Sequence, residues 1–186
     1  MAEAIDLQQL QRDVHYLMDR TAILDCVNRH ARGHDRFDVN LLTACYHPDG
    51  VDEHGSALNP GPEYAEWANK VHAAGSKLHT HNITTHTCEI DGDTAHCESY
   101  VMVMLLNNDE QSARVISGRY LDQLERRDGV WKILVRRTTV DVLLSGDASI
   151  LSSSVFRDQG YAKGVRDGTD ISYQRPPEPR SSPQRW

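Results

Sequence analysis

The hydrophobic period of this chain changes once, near residue 77, and that change limits the fold more than any other feature. Before it, Leu7, Leu10, Val14, Leu17, Thr21 and Leu24 recur at steps of three and four, which predicts one long amphipathic helix over 6–32. Gly33 is the expected helix stop, since glycine takes positive φ without strain. "DVNLLTACY" (38–46) predicts a second short helix, and a short strand is expected around Val51. Pro62 suits the first turn of a helix that ends at Gly75. After residue 77 the period is two. Strands are expected over 78–90 and 94–106 around an "EIDGDTA" turn, then along "SARVISGRYLDQLERR" and "VWKILVRRTTVDVLL" around "RDGV". Helices followed by an antiparallel meander define an α+β order. A sheet that curls around those helices would leave a pocket between them.

From about residue 145 the chain turns rich in Ser, Gly, Pro and Arg and loses its core-forming period. The expected division is a domain over 1–144 and an extended arm over 145–186, disordered after about Pro176 and suited to clasping a neighbouring subunit. The balance of 20 basic against 27 acidic residues gives a formal charge of −7, which disfavours nucleic acid and anionic membranes as partners. No apolar run approaches the roughly 18 residues of a spanning helix. The N-terminus has no signal-peptide pattern, and the expected location is cytoplasmic. Cys26, Cys45, Cys88 and Cys97 lack C-x-x-C spacing and read as reduced thiols, with a Cys88–Cys97 hairpin disulfide as the minor alternative.

Three clusters could carry chemistry. "KLHTHNITTHTCEIDGDTAH" holds four of the ten histidines. His79 and His81 share a strand face, and His86 or a carboxylate could join them around a metal. The spacing matches no metal motif, so a metal is the weaker reading, and His72, His79 and His96 read as ordinary structural histidines. In "NRHARGHDRFD", Asp38 is the better helix cap, which leaves Asp35 free to point back into the fold. His30, five residues earlier, would lie about 140° around a continuing helix from Asp35. On the last strand, Arg136 and Arg137 point to opposite faces, so one of them faces inward and needs an anionic ligand or a structural carboxylate, for instance on a helix.

Taken together, "RHARGHDRFDVNLLTACYHPDGVDEHG", "HNITTHTCEIDGDTAHCESY" and "GRYLDQLERRDGVWKILVRRT" resemble the SnoaL-like branch of the nuclear transport factor 2-like superfamily, over roughly residues 8–143. The resemblance implies a cone: a strongly curved antiparallel sheet around N-terminal helices, with a deep central pocket. Scytalone dehydratase, hexachlorocyclohexane dehydrochlorinase, bile-acid 7α-dehydratase, ketosteroid isomerase and polyketide cyclases share that superfamily with noncatalytic transport factors and dioxygenase small subunits. The dehydratase and dehydrochlorinase members use a His–Asp dyad without metal or organic cofactor. By position the dyad is Asp35, in "G-x-D", and His81, ten residues before Asp91 and four before Thr85. The pocket arginine is Arg136, five residues after Trp131. His30 stands where those enzymes carry Tyr or Lys, and a polar group of some dehydratases falls in the apolar "YVMVMLL".

The resemblance implies a cofactor-free lyase carrying out β-elimination, a dehydration or dehydrohalogenation, on a small hydrophobic cyclic molecule. Asp35 would orient His81 as general base, and Arg136 or His30 would meet the leaving group. Trp67, Met102, Met104 and Tyr120 are the expected substrate-binding residues. No metal and no cofactor are expected, and relatives suggest a homo-oligomer, dimer or trimer. The alternatives are a noncatalytic binding or subunit module and a ketosteroid-isomerase-like proton shuttle.

Overall fold

The structure, a computed structural model, describes residues 6–181 and 184–186. Helix α1 (Leu7–Asp35) is followed by α2 (Val39–Thr43), β1 (Tyr46–His54), β2 (Ala57–Pro60) and α3 (Gly61–Gly75). Four long strands then run as a meander: β3 (Leu78–Asp91), β4 (Thr94–Leu106), β5 (Ser112–Arg127) and β6 (Val130–Asp147). The sheet order is β2-β1-β6-β5-β4-β3, antiparallel except where β1 runs parallel to β6. That parallel pairing was not legible in sequence, because only Val51 and its neighbours hinted at a strand.

Alternation along β4 sets the two faces of the sheet. Ala95, Cys97, Ser99, Val101, Val103 and Leu105 are buried, and the residues between them turn outward. Gly118 on β5 lies so close to β6 that an added Cβ would collide with the Thr139 carbonyl oxygen. The register shifts at that point, between Ser117 and Gly118, which bends the sheet. A second irregularity, between Ile83 and His86 on β3, carries His86 and Cys88 onto the inner face after His79 and His81.

Helix α1 departs from expectation at both ends. Its buried residues are Ile23, Cys26, Val27, His30, Ala31 and His34, in its second half. The first-half stripe of Leu7, Leu10, Val14 and Leu17 is exposed, because those turns project beyond the sheet. Gly33 does not end the helix. It packs against α2, where a Cβ would meet Leu42 at 3.0 Å. The stop comes at Phe37, with φ of 51°; Phe37 N–H donates to the His34 carbonyl (3.2 Å) and Asp38 N–H to that of Gly33 (3.0 Å). This is a Schellman closure with phenylalanine in the usual glycine position. Asp38 caps α2 through Leu41 N–H (2.9 Å), as expected.

The segment after Asp147 holds a 3₁₀ turn, a short helix α4 (Ser154–Arg157) and a second 3₁₀ turn, and it folds back on the body. Arg36 pairs with Asp170 (3.2 Å), and the Arg32 guanidinium covers the Tyr173 ring. Trp186 N–H donates to the Tyr161 carbonyl (3.1 Å), so the final residue is tied to the arm; residues 182 and 183 of the expected disordered end lie outside the described residues. No helix among the described residues is long and apolar enough to cross a membrane.

Candidate active site

Asp35 occupies the last helical position of α1, where a carboxylate meets the negative end of the helix dipole and gains nothing from it. Strand β3 supplies the compensation. The His81 backbone N–H donates to both carboxylate oxygens (3.0 Å each), and its ring Nδ1 lies 2.8 Å from Oδ1. A carboxylate accepts only, so Nδ1 carries the proton and the neutral ring keeps its lone pair on Nε2. The His81 ring stacks on that of His34 (4.7 Å, 28°).

Four more histidines surround this pair. His79 Nε2 faces the His34 carbonyl (2.9 Å), and Arg166 from the arm donates to its Nδ1 (2.8 Å), so both nitrogens are committed. Burial holds His79 down to about 2, and His72, which stacks on it at 4.2 Å, is held to about 3 for the same first reason. His34 is fully buried and pushed well below the ordinary histidine value, by burial and then by its histidine neighbours. Its Nε2 meets the Tyr64 hydroxyl (3.2 Å), while its Nδ1 is buried with no partner. The fourth, His30, belongs to a different network.

Arg136 is entirely buried, and Arg137 on the opposite face pairs with Glu53 near the surface, as alternation requires. The partner of Arg136 is a strand carboxylate, not a helical one. Asp122, its cross-strand neighbour, takes Nε (2.7 Å) and Nη2 (2.6 Å) in a two-pronged pair. Nη1 donates to His30 Nδ1 (2.7 Å), and the guanidinium stacks 4.0 Å over Tyr120. His30 therefore carries its proton on Nε2 and donates it to the Tyr46 oxygen (2.9 Å). Tyr46 in turn donates to Asp52 (2.6 Å). Burial, then Arg136, keeps His30 neutral. Both of its nitrogens are spent, so the free proton donor expected at this position is absent.

Two cavities of about 220 Å³ lie near the dyad, and Asp35 and His81 line one of them. One, between α3 and the inner sheet face, is lined by Tyr64, Trp67, Ala68, His72, Leu105 and Ile116 among others. The other exposes Asp35 and His81 beside Asn28, Arg32 and Arg36. Of the expected substrate-binding residues, Trp67 lines the α3 cavity, Met104 lines a separate one of about 270 Å³ with Leu78 and Leu151, and Tyr120 is sealed beneath Arg136. Met102 and Met104 lie on the outer face, since they alternate with buried Val101, Val103 and Leu105, and Met104 is 48% exposed. Sequence reasoning passed over His34, Tyr64, Asp122 and Arg166. Cross-strand register brings Asp122 to the site, the packing of α3 brings Tyr64 and the fold-back of the arm brings Arg166, and no local pattern encodes any of these.

A curved six-stranded sheet over helices, with an aspartate at the end of the first helix against a strand histidine, defines an α+β protein of the nuclear transport factor 2-like type. The family model "SnoaL-like domain" matches residues 15–137, and the chain belongs to that family. Among solved structures, the chain is similar to LinA at 25% identity, covering 70% of this chain and 91% of that one, with a TM-score of 0.66. A structure titled hexachlorocyclohexane dehydrochlorinase LinA type 2 gives 24% identity, 72% and 93% coverage, and a TM-score of 0.67. A putative scytalone dehydratase from Novosphingobium aromaticivorans gives 17%, 69% and 88%, and 0.63. No curated protein matches the chain. These structures share the fold of this chain.

Proposed function

We propose that this protein is a lyase that eliminates water or halide from a small hydrophobic cyclic substrate, with His81 as general base. The observation that carries this reading is the double grip of Asp35 on His81. Backbone and ring hydrogen bonds to one carboxylate fix the tautomer and aim Nε2 away from it. Nε2 takes a proton from the carbon next to the one bearing the leaving group, and Asp35 stabilises the imidazolium that forms. The substrate lies against Trp67 and Leu105. Tyr64, whose hydroxyl burial holds in the protonated form, donates to the departing group from the same cavity. Arg136 and His30 act from behind as a rigid support, since their hydrogen bonds are spent on Asp122 and Tyr46. No organic cofactor enters this scheme.

A noncatalytic binding module is the second reading, favoured by that same closure of Arg136 and His30. The two separate on solvent deuterium exchange by NMR with a mixed panel of cyclic hydroxy-ketones, halocycles and steroid enones, using chelator-treated protein. Exchange or elimination that falls by about 10²–10⁴ in His81→Ala and in Asp35→Asn supports the lyase. Turnover that survives His81→Ala but not Asp35→Asn indicates a carboxylate base of the ketosteroid-isomerase kind, and binding without exchange indicates the module. The proposal also includes a homo-oligomer, dimer or trimer, that covers Leu10, Val14 and Leu17, which are exposed on α1. Sedimentation at the monomer mass would end that part. A cytoplasmic location completes the proposal, and fractionation with a soluble thiol-reducing compartment checks it.

A further inference from the structure

His34, His72 and His81 converge from α1, α3 and β3, with one ring nitrogen of each within 4.8 Å of the others. From this convergence we infer that the three histidines form a site for a divalent transition-metal ion of the zinc or cobalt kind, which shares His81 with the dyad.

The free valences match. Nε2 of His81 has no hydrogen bond among the described residues, and Nδ1 of His34 is buried without a partner in a side chain that is 1% exposed. A buried nitrogen left unpaired loses its hydration with nothing in return, and an ion restores a partner. The remaining nitrogens are placed as metal-bound imidazoles require. His81 gives its Nδ1–H to Asp35, the carboxylate–histidine arrangement that orients a ligand and raises its basicity, and His34 Nε2 is held by the Tyr64 hydroxyl. The ring centroids lie 4.7 Å (His34–His81), 5.4 Å (His34–His72) and 5.4 Å (His72–His81) apart. Rings bound tetrahedrally at about 2.0–2.1 Å per nitrogen have centroids about 5 Å apart, so closure needs side-chain shifts of about 1 Å. Three imidazoles with an open fourth position suit zinc, cobalt, nickel or copper and not magnesium or calcium, which demand oxygen.

Two other groupings lie nearby, and the first is less suited. His79 lies close to Asp35 and His81, but both of its nitrogens are committed, to the His34 carbonyl and to Arg166. His86, Cys88 and Cys97 form a separate nitrogen–sulfur cluster on the inner sheet face, with the sulfurs 3.2 Å apart. That second cluster must be distinguished in any test.

The ion takes the lone pair that proton abstraction needs. If the proposed lyase reading holds, zinc therefore inhibits the enzyme. Binding is tested without substrate, by titrating chelator-treated full-length protein with Co²⁺ and following visible absorption, then displacing it with Zn²⁺. The expected result is one Co²⁺ per chain with the visible bands of nitrogen ligation, no thiolate charge-transfer band, and at least tenfold weaker binding in His72→Ala. His72 is only partly buried, so this variant is expected to fold, which its circular dichroism checks. Binding unchanged in His72→Ala, or no visible band, overturns the site. So does a thiolate band that vanishes in Cys88→Ser, which would place the ion in the other cluster. If Co²⁺ binds as expected but no panel compound exchanges, the lyase reading fails and the metal site stands.

Discussion

The Arg136 network and the Asp35–His81 cluster lie side by side in one fold and differ in a single respect. In the first, the guanidinium meets Asp122 and His30, His30 meets Tyr46, and Tyr46 meets Asp52, so each ring and hydroxyl is spent on a neighbour. The one unpaired atom of this network among the described residues is an acceptor, Asp52 Oδ1, at the end of the chain of bonds. In the second, His81 and His34 each keep one nitrogen without a hydrogen-bond partner among the described residues. A closed buried network holds geometry, whereas an open one can take up a proton, an ion or a substrate. Charge alone would have ranked them the other way, since a buried arginine looks the more reactive group.

Among single substitutions, the largest expected effect falls on the Arg136 network. Arg136→Met leaves Asp122 buried with no counter-charge, and urea denaturation should show a loss of about 3–5 kcal/mol. A loss below about 1 kcal/mol would mean that water relaxes the site and that the network is not closed. Acid acts on four rings together, and its summed effect can exceed that of any single substitution. His72 and His79 are held by burial to about 3 and about 2, and His30 and His34 well below their usual value. The unfolded chain binds protons on these rings below about pH 6.5, and the folded chain does not. Stability is therefore fully present above about 6.5 and is lost as pH falls toward those folded values, by up to about 1.4 kcal/mol per ring per pH unit. Melting temperature measured from pH 7 down to pH 5 should drop steadily; a flat profile contradicts neutral burial of the cluster.

Smaller effects sharpen the boundary between the regions. Arg166→Gln removes donors to the Ser76 carbonyl and hydroxyl and to His79 Nδ1. It should cost about 1–3 kcal/mol, read by denaturant midpoint, because Ser76 and His79 are left under-satisfied. Met104→Gln, on the outer face, should stay within about 0.5 kcal/mol of wild type and bind panel compounds unchanged. Weakened binding in that variant would return Met104 to the substrate-binding set.

The parts legible in sequence were those with a local cause. The period-two run fixed the meander, alternation separated Arg136 from Arg137, and the cap chemistry of Asp38 left Asp35 free. The parts that misled had a non-local cause. Gly33 is small because Leu42 lies against it, not because the helix ends there. The Met102–Met104 run is apolar on the outer face, and residue type cannot tell one face of a sheet from the other without the register. His34 and His72 carried no motif, because their meeting depends on how α1 and α3 pack on β3.

His81 keeps a free Nε2, and His30 does not. Long-range nitrogen–proton correlation NMR of the chelator-treated protein reads this difference directly, at a pH above the ordinary histidine range. The neutral His81 ring should be protonated on Nδ1 with bare Nε2, and His30 on Nε2 with Nδ1 accepting from Arg136. A His81 ring protonated on Nε2 would contradict this pattern, since the nitrogen assigned as the base would then have no lone pair to offer.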